Sequence, residues 1–246
     1  MSQVRESGLL GGRVRLRQPA TGYRAGMDAA LLAAAVGVEV DEWVIEAGCG
    51  AGGALMQVAA RCLGAHVVGL ERDPLMADLA RENAALNGMA DRAEVVVGDV
   101  AAGFRALDLP PFDWAISNPP FFDDPGAMRA PGPGKRDAWM ADDGLEAWTR
   151  FLLKAVREGG RIVVIHRADR LADLLALLGD KAGSFAIRPI HPFADQPAKR
   201  VLVQAIKTGK APLRLLPPLV MHERGSETKH TLEAEAILRG EARLGW

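Results

Sequence analysis

The chain has 246 residues, 49% of them hydrophobic and 25% charged, with a formal net charge of −1. That composition excludes a fibrous or wholly disordered polypeptide and is sufficient for one sizeable hydrophobic core. No stretch approaches the roughly 18 consecutive apolar residues of a membrane span, and Arg5 and Glu6 interrupt anything resembling a signal peptide, so a cytoplasmic protein without a membrane partner is expected.

Residues 13–17, Arg-Val-Arg-Leu-Arg, alternate strictly, which at a strand's period of two puts three arginines on one face and Val14 and Leu16 on the other. A turn at 18–22 and an alanine- and leucine-rich helix over 28–36 complete an N-terminal cap, residues 1–36. A domain spanning 37–210 follows. It opens with strand 43–47, helix 54–63, strand 66–70 and helix 74–86, the last with Pro74 at its first position. Strand 94–97, a short helix over 100–107 and strand 114–117 come next. Residues 123–143 are dense in Pro, Gly and Asp and too long for an ordinary connection, which marks a binding loop or lid. Helix 145–157 ending at Gly159-Gly160, strand 161–165, helix 171–178 and strands 185–190 and 201–206 close the domain. This alternation predicts an α/β fold, a doubly wound, Rossmann-like parallel sheet. Residues 211–246 form a C-terminal extension in which Thr231 caps a helix through Leu238, with Glu233 and Glu235 in its first turn, packing back onto the domain.

Cys49 and Cys62 are too few for a disulfide scaffold and match no zinc spacing, and the five histidines are scattered, so no metal is expected. Charge is uneven along the chain. Residues 1–27 carry five Arg against one Glu, 28–160 carry 11 basic against 21 acidic, and 161–214 carry ten basic against four acidic. If the first and third segments share one side of the fold they make a basic face for phosphates. The same side chains would equally serve as solvated charges on edge strands, and the 13–17 strand as a dimer edge.

Gly48-Cys49-Gly50-Ala51-Gly52-Gly53 follows an apolar strand and opens a helix, the setting in which missing side chains let a nucleotide approach the backbone. Two patterns fit: the G-x-G-x-G of S-adenosyl-L-methionine enzymes, and G-x-G-x-x-G of dinucleotide enzymes through Gly48, Gly50 and Gly53. Glu71, ending the next strand, can accept from ribose hydroxyls in either class. Asp99, after the third strand, can accept from an adenine amino group, which leans towards S-adenosyl-L-methionine. At the end of the fourth strand stands Asn118-Pro119-Pro120-Phe121. Two prolines fix the backbone and remove N–H donors, so the surface offers two acceptors, the Asn118 side-chain oxygen and the Pro119 carbonyl. An amino group has two hydrogens to give, and its hydrogen bonds strengthen as the nitrogen becomes positive in the transition state. Phe121 supplies a flat face for a planar acceptor, most naturally a nucleobase.

With these motifs the chain resembles class I methyltransferases of the amino-nitrogen type, whose hallmark is [DNS]-P-P-[FYW] at this strand end; the match covers about residues 43–206. Within that class it looks like the bacterial tRNA(Val) adenine-N6 methyltransferase family, on Gln18, Gly22-Tyr23-Arg24, Asp28 with Leu31-Leu32, Asn118 to Phe122, and the run Glu233 to Leu238. The resemblance implies a seven-stranded sheet with an antiparallel last strand. It also implies cofactor contacts from Asp28, Glu46, Gly48, Gly50, Glu71, Asp99 and Asn118, with Asp28 near the methionine end, and catalysis organised by Asn118, Pro119, Pro120 and Phe121. The expected reaction is methyl transfer from S-adenosyl-L-methionine to N6 of an adenine in tRNA, with Arg15, Arg17, Lys135 and Arg136 meeting the RNA. A glutamine-N5 methyltransferase acting on protein, or an NAD-dependent oxidoreductase read from the glycines alone, stays open at this point.

Overall fold

The computed structural model describes residues 4–20, 26–120 and 143–246. An antiparallel hairpin of β1 (Val4–Leu9) and β2 (Val14–Pro19) leads into α1 (Met27–Ala34). The alternation then runs β3 (Trp43–Ala47), α2 (Gly53–Arg61), β4 (His66–Glu71), α3 (Pro74–Leu86), β5 (Ala93–Val97) and β6 (Phe112–Ser117). It resumes with α4 (Asp143–Ala155), β7 (Val156–Arg167), α5 (Leu171–Gly179), β8 (Ala182–His191) and β9 (Arg200–Lys207). The C-terminal extension contributes β10 (Arg214–Leu215), β11 (Leu219–Val220) and α6 (Leu232–Arg239).

Seven strands lie in the order β5-β4-β3-β6-β7-β9-β8. β9, the last of the seven in chain order, is antiparallel to both neighbours, while the other pairings are parallel. The expected doubly wound, mostly parallel sheet is therefore present. Two-residue strands β10 and β11 pair with β8, so the sheet has nine strands among the described residues. Successive strand residues face opposite sides and build two cores. Val44, Val67, Trp114, Val163 and Leu202 pack with α1, α2, α3 and α6, whereas Ile45, Val68, Ala115, Val164 and Val203 pack with α4 and α5.

Local chemistry explains where elements begin and end. Asp73 caps α3 by accepting the Leu75 N–H at 3.0 Å, with Pro74 at the first helical position, and Thr231 caps α6 by accepting the Ala234 N–H at 3.2 Å. The helix expected over 100–107 is two short 3-10 turns, because Gly103 takes φ 81° between them. Gly159-Gly160 does not end α4. It lies inside β7, where the β6–β7 register shifts between Phe112 and Trp114, and a side chain at Gly160 would run into the Arg157 carbonyl and crowd that of Asp113.

The hairpin has the expected alternation, with Val14 and Leu16 buried and Arg15 exposed. Asparagines on α3 hold it in place. The fully buried Asn83 accepts the Arg17 N–H (2.8 Å) and donates to the carbonyls of Arg17 (2.8 Å) and Ala51 (2.9 Å), and Asn87 pairs likewise with both backbone groups of Arg15. These side chains act as a surrogate strand and tie the hairpin to the glycine turn. Arg61 of α2 donates to the carbonyls of Ile237 (2.6 Å) and Ala242 (2.9 Å), and Arg13 to those of Arg239 (3.1 Å) and Gly240 (2.9 Å), so two arginines satisfy the open C-terminal end of α6. No helix among the described residues is long and apolar enough to cross a membrane.

Candidate active site

The β3–β6 register sets Ala47 opposite Ser117, and the buried Ser117 hydroxyl donates to the Ala47 carbonyl at 2.9 Å. The two adjacent strands therefore deliver Gly48 and Asn118 side by side at the carboxyl edge of the sheet, the end at which open α/β sheets bind ligands. The Asn118 side-chain oxygen is buried there, beside a buried Pro119 and a half-buried Pro120. Phe121, Lys135 and Arg136, with Tyr23, Arg24 and nearly all of the expected 123–143 loop, lie outside the described residues.

The glycine turn is built to stay open. Gly48, Gly50 and Gly52 have φ of 71°, 55° and 85°, conformations that L side chains avoid, and nothing occupies the space a Gly50 Cβ would take. The Gly48 and Cys49 N–H groups donate to the Leu70 carbonyl at 2.8 and 3.0 Å, which pins the turn to the end of β4. Glu71 joins them: its carboxylate accepts the Gly50 N–H and the Asp73 N–H, both at 2.9 Å. A carboxylate has about four lone-pair sites, so two remain for ligand hydroxyls. α2 begins without a side-chain cap, leaving the positive end of its dipole directed at the turn. Asp99 stands at the end of the next strand over, one of its oxygens accepting the Ala101 N–H at 2.9 Å.

Glu46 lies behind the turn on β3. It is 4% exposed, and its Oε2 has no hydrogen-bond partner among the described residues. Burial pushes its carboxyl up to about 8, with the Leu55 N–H opposing and the nearby Glu71 adding to the rise. Such an orphaned acidic oxygen fits a cationic ligand, which would supply the missing charge. Burial also raises the Cys49 thiol, keeping it protonated and unreactive.

Asp28, in the first turn of α1, pairs with Arg200 Nε at 3.0 Å at the start of β9, two strands from Asn118 on the same edge. Arg15 and Arg17 are elsewhere, on the exposed face of the hairpin, both bound to Glu6 at 2.8 and 3.2 Å, and hydrogen bonds from Arg15 and then Arg17 hold the Glu6 carboxyl below its usual range. The basic segment 161–214 does not form one face. Strand polarity sends Arg167, Arg170, Lys199 and Arg200 to the carboxyl edge and Arg161, Lys181 and Lys207 to the opposite edge.

Trp148, on α4, is a site residue that the motifs did not disclose. Its indole lies so close over Gly48 that a Cβ there would overlap the ring, making Trp148 one wall of the cleft. Its helical spacing from Leu145 and Leu152 marks a core face and gives no sign of the glycine it meets.

An uncapped helix behind a positive-φ glycine turn, an acid ending the next strand and Asn-Pro-Pro on the adjoining one are the arrangement of a class I methyltransferase site. The chain belongs to the S-adenosyl-L-methionine-dependent methyltransferases. The methyltransferase domain family matches residues 44–130. A solved structure titled a predicted O-methyltransferase, from Agrobacterium tumefaciens, is 33% identical with a TM-score of 0.74, covering 88% of this chain and 98% of that one. Among curated proteins, the tRNA1(Val) (adenine(37)-N6)-methyltransferase of Porphyromonas gingivalis strain W83 is 31% identical over 164 residues, 64% of this chain and 64% of that protein. The matched segment thus spans under two thirds of that relative's length. The protein of the same name from Dickeya chrysanthemi is 26% identical over 195 residues, 78% of this chain and 76% of its own. Membership decides between the two cofactors that the glycines left open, in favour of S-adenosyl-L-methionine.

Proposed function

We propose that the chain transfers a methyl group from S-adenosyl-L-methionine to an exocyclic amino nitrogen, N6 of an adenine in tRNA. The observation that carries this reading is the placement of Asn118-Pro119 at the end of β6 beside Gly48, with the Asn118 oxygen buried at the carboxyl edge. When bound, the cofactor supplies the electrophilic methyl. Gly50, the N-terminus of α2, Glu71 and Asp99 suit its carboxylate, ribose and base, and Glu46 suits its positive end. The Asn118 oxygen and Pro119 carbonyl accept the two hydrogens of the acceptor amino group and turn its lone pair to the methyl. These bonds tighten as positive charge develops on nitrogen, so their contribution falls on the transition state. The proton leaves after transfer, and no base must act before attack.

A hydroxyl acceptor has one hydrogen for two acceptors and needs a base to remove it. His166 lies at this edge at the end of β7, and burial followed by the charges of Arg170, Arg167 and Arg200 pushes it down to about 4, so it is a weak base. The names of the curated relatives supply the adenine and the tRNA. The test is methylation of unmodified tRNA with isotopically labelled cofactor, read by nucleoside mass spectrometry. N6-methyladenosine is the expected product, and Asn118→Ala should lower turnover about 100- to 1,000-fold while cofactor affinity stays within about twofold. Methylation of protein glutamine with none of RNA, or full turnover by Asn118→Ala, would overturn the reading.

A further inference from the structure

The carboxyl edge that carries Asn118 continues across β7 and β9 to β8, and beyond β8 a second cleft opens. It has a volume of about 540 Å³ and lies between the turn after β8 and the segment joining β11 to α6, with Phe193, Asp195, His222, Glu223, Arg224 and Thr231 among its walls. Its size falls in the range of small-ligand sites, about 300–1,000 Å³.

The walls combine aromatic rings with one guanidinium and two carboxylates. Phe193 and His222 meet at a centroid distance of 5.5 Å, His222 stacks on His230 at 5.1 Å and 26°, and the Arg224 guanidinium sits 4.6 Å over the Phe193 ring. Both Phe193 and His222 are only half-buried, with Arg224 over one face of Phe193 and His230 against one face of His222. The frame beneath them is hydrogen-bonded. The N–H groups of Met221 and His222 donate to the carbonyls of His191 (2.8 Å) and Pro192 (2.9 Å), His222 Nδ1 meets the Lys229 carbonyl at 2.5 Å, and the Thr231 hydroxyl donates to the Val220 carbonyl at 2.8 Å. These contacts set the rings in place before any ligand arrives.

Half-open rings interleaved with guanidinium are the composition with which proteins stack unpaired bases of a single strand. Asp195, paired with Arg224 at 3.2 Å, and the exposed Glu223 repel a phosphate but can accept from base amino groups, so the cleft suits a base. Phosphates have a place between the two sites, where Arg167, Arg170, Lys199 and Arg200 line the edge. Among the described residues Asp169 and Asp173, both more than half exposed, hold Arg167 and Arg170 in pairs that contribute little and can exchange, while the Arg200–Asp28 pair is more deeply set.

We propose that this cleft is a second nucleobase subsite, stacking one base of the substrate RNA against Phe193 and His222 while the strand's phosphates cross the Arg167–Arg200 edge from the methyl acceptor. It rests on the reading of RNA as acceptor. Four interstrand steps separate β6 from β11, which puts the subsite roughly 19 Å from Asn118 at about 4.8 Å per step.

The test is steady-state methylation by the full chain, using tRNA and a shortened RNA in which no nucleotide can reach that distance from the target adenine. Phe193→Leu and His222→Ala should each raise KM for tRNA about tenfold, with kcat and cofactor affinity unchanged. His222→Phe, which restores a ring, should recover the wild-type KM. On the shortened RNA all variants should match wild type. Melting temperatures within a few degrees of wild type establish that the variants are folded; should Phe193→Leu melt early, the His222 pair carries the comparison. An unchanged KM for tRNA, or a rise that persists on the shortened RNA, overturns the subsite while leaving the methylation reading intact. A wild-type enzyme that methylates no RNA removes both.

Discussion

Glu46 is a buried carboxyl whose proton the fold itself retains. Its carboxyl titrates near 8 in the fold against an ordinary value of 4.5, so the native state holds a proton that the unfolded chain releases. The sign follows: this group's contribution to stability is complete below about pH 4.5, declines as pH rises, and is lost above about 8. Glu46→Gln removes that titration, and its melting temperature should exceed wild type at pH 8.5 and approach it at pH 5. A cation bound against Glu46 lowers its pKa and expels the proton. Calorimetry of S-adenosylmethionine binding at pH 7 in buffers of different ionisation enthalpy should therefore show proton release by wild type and a smaller release by Glu46→Gln. Equal release by the two proteins would remove Glu46 from the cofactor site. The acidic residue two places before Gly48 is legible in the sequence, but its unmet oxygen is not, because burial depends on α2 closing over β3.

At the scale of elements, the caps and turns were readable because their chemistry is local. Asp73-Pro74 and Thr231 start their helices as their sequence neighbours require. The hairpin is different. Its alternation was plain, yet what fixes it is Asn83, an asparagine in the last turn of α3 whose side chain stands in for a neighbouring strand to a residue 66 positions away. Asn83→Leu leaves the Arg17 N–H and carbonyl and the Ala51 carbonyl without partners, at a cost of about 1–3 kcal/mol for each buried group that water cannot reach. Urea unfolding should show a loss of at least about 2 kcal/mol, and the attached glycine turn should bind cofactor less tightly. Asn87→Leu, at the exposed end of the same ladder, should cost less. A ladder of equal or smaller loss at Asn83 would mean that the hairpin is held by Val14 and Leu16 alone.

For the whole molecule, the extension is part of the core. Met221, Ala234, Ile237 and Leu244 are buried with α1 and α2, the Leu244 N–H reaches the Ala34 carbonyl at 3.0 Å, and Trp246 Nε1 donates to the Ala35 carbonyl at 2.6 Å. Arg61 is the clasp, and burial, then Arg13 and Arg243, lower it to about 10, which still leaves it charged at neutral pH. Arg61→Leu should cost about 2–3 kcal/mol, because two carbonyls lose charged donors. Limited proteolysis should then cleave near residue 230 faster than in wild type, and an unchanged rate would assign the docking to apolar packing alone. The same extension walls the cleft at Phe193, so under the proposed subsite loosening it should also raise KM for tRNA.

The sequence by itself determined the strand and helix alternation, the glycine turn with Glu71 and Asp99, the Asn-Pro-Pro run and the capped last helix, because each is written in residues a few positions apart. Strand order decided the rest. It set Gly48 beside Asn118, brought Trp148 over Gly48, divided the basic segment 161–214 between two edges and joined residue 193 to residues 222–231 in one cleft. Periodicity reports which face of an element is buried, whereas contacts between distant residues depend on which elements become neighbours, and that is fixed only when the sheet assembles.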